Sequence, residues 1–220
     1  MTEAEWMSGD SSGMLDWMGS GRKGSERKLR LFAVACCRRV WGLVRDERSR
    51  AAVFVAEAFA DGLVDRGVLL AARDAARLAK RSFVGELQSG YSRAATAAFD
   101  ATRDTGGSAA SNAMAEAARS FHYADHNHCD EGELERQAGL LRCIFGSPFR
   151  PVAIEPSWRV GPVLAIATAI YVERSFDRLS ELADALASAG CSDAEILDHC
   201  RSQGEHVRGC WVVDGLLGKA

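Results

Sequence analysis

Residues 26–44 read ERKLRLFAVACCRRVWGLV, and this stretch decides the fold. Leu29, Phe32, Cys36, Val40 and Leu43 recur at steps of three and four, which sets them along one face of a helix. The middle, LFAVACC, is apolar on every face, so a helix over 26–44 must be buried on several sides. Ser25 precedes it as a capping residue. Next along the chain, Asp46 caps a second helix that carries Val53, Phe54, Ala56 and Phe59. Asp61-Gly62 ends that helix, with glycine where the chain reverses.

Alanine dominates from Asp65 to Arg103 and from Ser108 to Tyr123. It has the best helix propensity and a small side chain, so these segments predict closely packed helical hairpins turned at Thr105-Gly106-Gly107-Ser108. Glu131–Phe145 is another amphipathic helix, stopped by Gly146. The run GSPFRPVAIEPSW that follows is held extended by its prolines, and Phe149, Val152, Ile154 and Trp158 keep it packed against a surface. Helices are then expected over 163–174, 177–189, 192–201 and 205–217, the third with Ser192 and Glu195 as a capping box. Upstream, Thr2 with Glu5 forms the same box, and Trp6 and Trp17 pin a Gly/Ser-rich arm. The fold class is all-α, an irregular bundle of about ten helices. Its expected divisions are a loosely structured arm (1–24), a helical body (25–145), a Pro-rich connector (146–162) and a C-terminal helical subregion packed on the body (163–220).

The 220 residues are 47% hydrophobic and 26% charged, which excludes a disordered chain. A net charge of −3 gives no global field for nucleic acid or anionic lipid. The first 21 residues hold four acidic side chains and no Lys or Arg, so no secretory signal is expected. The longest apolar stretch, 163–172, is about half the ~20 residues of a spanning helix, so no membrane is expected as a partner. Seven cysteines without a C-x-x-C pair read as reduced thiols in a cytoplasmic protein, packed as small hydrophobes.

RKLRLFAVACCRRVW near the start, LLRCIFGSPFRPV in the middle and HCRSQGEHVRGCWVVDGLLGK at the end resemble the signature phrases of a family of bacterial proteins found mainly in planctomycetes. The opening TEAEW is similar too. The resemblance extends over most of the chain. It implies relatives without an established activity, so it transfers no catalytic residue.

Three groups of residues could carry chemistry. Between Arg22 and Arg50 stand ten basic side chains against three acidic ones. On a helix, Arg27, Arg38 and Arg45 share one strip with Arg39 beside it, a surface suited to phosphate groups. The bland alternative is pairing with the acidic C-terminal helices, where nine acidic and five basic side chains lie between Glu173 and the end. In HYADHNHC, His122 and His126 stand four apart, with His128 and Cys129 after them, a ligand set that could hold zinc. The bland alternative there is an exposed polar helix end. His206, Cys210 and Asp214 fall at four-residue steps, as on one helix face, where a Cys beside a His could become a thiolate nucleophile. The bland alternative takes Cys210 as core and His206 as a first-turn residue, and packing accounts for Asp198-His199-Cys200. The reading that best fits is a non-enzymatic helical module that works through contacts with another protein. Nucleic-acid binding through residues 26–45 and a metal-dependent enzyme at 122–129 are the alternatives.

Overall fold

The computed structural model describes residues 1–20, 24–83, 89–124 and 131–219. It is all-α, 74% helical, with twelve helices and no strand among the described residues. They are α1 (Glu3–Ser8), α2 (Ser11–Ser20), α3 (Glu26–Arg39), α4 (Glu47–Ala60), α5 (Arg66–Arg81), α6 (Gly90–Asp100), α7 (Gly106–Ala124), α8 (Glu131–Phe145), α9 (Gly161–Glu173), α10 (Leu179–Ser188), α11 (Ala194–Arg201) and α12 (Trp211–Leu217). No helix among the described residues is long and apolar enough to cross a membrane. The chain divides into two compact units. The first is Ser8–Ala138 with Met1, and the second is Gly139–Ala220 with Thr2–Met7. The division falls inside α8, and the Pro-rich connector lies within the second unit. The segment expected as a loose arm instead carries α1 and α2, with Trp6, Met14 and Met18 buried.

In the first unit α3 is the central helix and packs on α4, α6 and α7. Every residue from Leu29 to Cys37 is buried, as the apolar run requires. Ser25 accepts from the Lys28 amide at 3.2 Å, and Asp46 caps α4 in the same way. α3 stops at Arg39, short of the expected Val44, and a 3-10 turn covers Trp41–Leu43. Gly42 inside that turn has poor helix propensity. The alanine-rich helices do pack closely. Ala94, Ala97, Ala98, Ala109, Ala110, Ala113 and Ala117 have no exposed surface. Gly106 sits so near the Glu26 carbonyl that a β-carbon would collide with it.

The second unit is built on α9 to α12. Val163, Ile170, Leu182, Leu186, Ile196, Val212 and Val213 are fully enclosed at its centre. Gly146 and Gly190 end α8 and α10 in the left-handed conformation, as their positions in the sequence predict. Asp193, one residue later than expected, caps α11 by accepting from the Ile196 amide. The largest departure is at the end. The helix expected over 205–217 begins only at Trp211, because Gly209 takes φ +97° and Cys210 becomes the N-cap. His206 and Cys210 therefore lie on an irregular loop, not on a helix face.

Candidate metal centre

Four side chains of the second unit converge on one point: Cys143, His199, His206 and Cys210. They arrive from separate segments. Cys143 is in the last turns of α8, His199 is in the last turn of α11, His206 is on the loop, and Cys210 is the N-cap of α12. One ligand atom from each lies within 4.8 Å of all the others. Cys143 Sγ is 3.5 Å from His206 Nδ1, and Cys210 Sγ is 3.3 Å from His199 Nε2. Zinc–sulfur and zinc–nitrogen bonds of standard length set tetrahedral S···N edges of about 3.6 Å. The observed separations come close to that value before any ion is placed.

The surroundings fix how each group presents itself. Both thiols are buried and both imidazoles are partly exposed. The Ser202 hydroxyl donates to the His199 carbonyl at 2.9 Å and lies 3.1 Å from His206 Nε2. On metal binding that hydroxyl would accept from Nε2–H, which would leave the His206 Nδ1 lone pair to the ion. Ser202 thus links two of the four groups, as outer-shell partners of metal ligands do. The His199 and His206 rings meet edge-on at 4.8 Å, and Trp211 covers His199 at 5.4 Å.

The electrostatics mark Cys210 as the anionic member. Burial pushes its thiol up, but hydrogen bonds from Cys143, His199 and His206 outweigh burial and hold its pKa well below the ordinary value. Cys143 moves the other way, raised by the hydrogen bond it shares with Cys210 and by burial. The two buried sulfurs are therefore pushed in opposite directions. A divalent cation would draw both into the thiolate form. Cys200, next to His199, is raised by burial and is an inert core thiol.

The other candidates fare differently. Arg27 pairs with Asp61 at 3.1 Å and Arg38 with Glu57 at 3.2 Å. Arg39 grips the buried Glu133 with two bonds of 2.7 Å. Arg45 lies 3.5 Å over the Tyr91 ring, beyond the end of α3, so it does not share a helical strip with the others. The charge offset comes from α4, its cap and α8, where the sequence pointed to the C-terminal helices. These arginines are committed to holding the first unit together. Of the 122–129 cluster, His122 stands in the last turn of α7 with its ring against Tyr123. His126, His128 and Cys129 lie outside the described residues.

The sequence pattern places Cys210 in the core, His206 in the first turn of a helix and His199 in packing. A continuous helix over 205–217 separates them from Cys143, which is far off in sequence. The available signal was H-x6-H-x3-C over 199–210 with two glycines inside it. Comparison with family models, curated proteins and solved structures finds no match.

Proposed function

We propose that the protein is a zinc-binding, non-enzymatic helical module in which Cys143, His199, His206 and Cys210 hold one zinc ion as a structural centre. The convergence of two thiols and two imidazoles from four segments, at separations close to those of a zinc tetrahedron, carries this reading. Thiolates with imidazoles favour zinc over magnesium, calcium or manganese. Four protein ligands also close the coordination sphere, so no position is left for a substrate or an activated water. A cavity of about 320 Å³ lined by Ser202, Gln203 and His206 gives the ion a route in.

The module's work is contact with another protein in the cytosol. Leu63, Leu70 and Leu78 are large apolar side chains left exposed in and just before α5, which supports a contact role. No disulfide joins any of the six described cysteines, which supports a reducing compartment. Three of the four proposed ligands stand in the phrase HCRSQGEHVRGCWVVDGLLGK, so relatives that share this phrase share those ligands.

The test is elemental analysis of untagged protein, followed by cobalt substitution. One zinc per chain is expected, and the cobalt form should show the intense absorption of tetrahedral thiolate coordination. Protein that carries no metal and gives only octahedral cobalt colour refutes the proposal.

A further inference from the structure

We infer that a groove formed by α5, α6 and α7 binds a small organic phosphate. The groove belongs to the first unit and does not depend on the zinc reading. It encloses about 600 Å³, within the usual range for small-molecule sites. α5 contributes Arg77, Lys80 and Arg81, whose spacing of three and four puts them on one helical face. α6 contributes Arg93 from the facing side, with the Thr96 side chain and the Phe99 ring as floor.

The balance of charge points to an anion. Among the described residues, four cations meet one lining carboxylate, Glu116, in a protein of net charge −3. That carboxylate is already shared between Arg93 at 3.2 Å and Arg119 at 2.6 Å. Arg77 has only an exposed pair with Asp74, and such pairs are worth little. Lys80 rests 5.3 Å over the Phe99 ring, which holds its ammonium at the groove. Arg81 has no acidic partner among the described residues. The Nε–H of Arg93 is enclosed without an acceptor. The buried Asp100 carboxylate acts on Lys80, and accepts its own hydrogen bond from Arg103. Guanidinium forks beside an ammonium suit phosphate oxygens, and bare phosphate would leave most of the volume empty. The apolar floor takes the organic part of the ligand.

Calorimetry on the whole 220-residue chain as purified tests this, with ADP, ribose 5-phosphate, pyrophosphate and adenosine as probes at low salt. ADP or ribose 5-phosphate should bind, and adenosine should not. Lys80→Gln with Arg81→Gln should weaken binding by about tenfold. Arg81 is exposed and Lys80 half-buried, so the fold should survive, and circular dichroism checks this. Glu116→Gln removes the competing carboxylate and should tighten binding. Arg178→Gln, in the second unit, should change nothing. No binding of any phosphate probe overturns the inference, as does binding that the double variant leaves intact. Binding seen only with anionic phospholipid vesicles or an oligonucleotide also overturns it, because it assigns the cations to a larger surface.

Discussion

Replacing Cys210 with serine should uncouple the second unit from zinc. Cys210 is fully buried and receives hydrogen bonds from Cys143 and both histidines, so it is the hub of the four-residue cluster. A serine hydroxyl is a hard, neutral oxygen and a poor substitute for thiolate. With free zinc 100-fold above its dissociation constant, binding stabilises the folded form by about 2.7 kcal/mol. For a domain of 60–100 residues, that corresponds to roughly 10–20 °C in melting temperature. The native protein should therefore lose about that much on chelation, while Cys210→Ser starts low and responds to neither chelator nor zinc. Hydrogen exchange read by mass spectrometry gives the local view. Peptides covering 199–213 should lose protection in the variant, and peptides from α3 and α7 should keep theirs. A native protein whose melting temperature ignores both zinc and chelator refutes the reasoning.

Three further outcomes follow from particular contacts. Ser202→Ala removes the link between His199 and His206 and should weaken zinc binding by about 10–100-fold without changing stoichiometry, as read by competition with a chromogenic chelator. Arg39→Leu removes the two-bond partner of Glu133, which has no exposed surface and keeps Gln137 at 3.1 Å and Arg136 at 3.8 Å, and should cost about 3 kcal/mol in urea unfolding. Adding Glu133→Leu should recover most of that loss, and a double variant no better than the single one argues against the pairing. Asp104 is held below its ordinary pKa of 3.8, first by its hydrogen bond from Arg73 and then by the Arg73 and Arg66 charges. A lowered folded pKa stabilises the protein above the ordinary value, and the gain disappears as pH falls through the lower one. Asp104→Asn should therefore narrow the stability difference between neutral and acid pH, measured by thermal melts across that range.

The helices were largely legible because each carries its own signal. LFAVACC requires burial, Ser25 and Asp46 cap, Gly146 and Gly190 stop, and all of these stand where expected. The end of α3 was not legible, because the apolar spacing runs on through Val40 and Leu43 while the backbone turns at Gly42. The metal centre was hidden by the same kind of error at Gly209. A four-residue spacing is evidence of a shared helical face only where the backbone is helical. His206 and Cys210 satisfy the spacing on a loop, and there it brings their side chains to Cys143 and His199 instead. The basic strip misled for another reason. Sequence shows how many charges lie in a segment, but the partners that absorb them, Asp61, Glu57 and Glu133, come from other elements.

The lengths of the last helices explain why this unit would need an ion. α11 has 8 residues and α12 has 7, below the roughly 12–15 at which an isolated helix becomes marginal in water. Between them, residues 202–210 form a loop with Gly204 and Gly209, which have high entropy when unfolded. Apolar burial by Ile196, Val212 and Val213 anchors each short helix, but only a few side chains contribute from each. The four ligands fall at the points such a segment leaves loose: the end of α8, the end of α11, the loop itself and the start of α12. One ion at that position would close the 199–210 loop and tie it to α8 at Cys143. This stabilisation is lost when any one ligand is removed, whereas loss of a single core methyl costs far less.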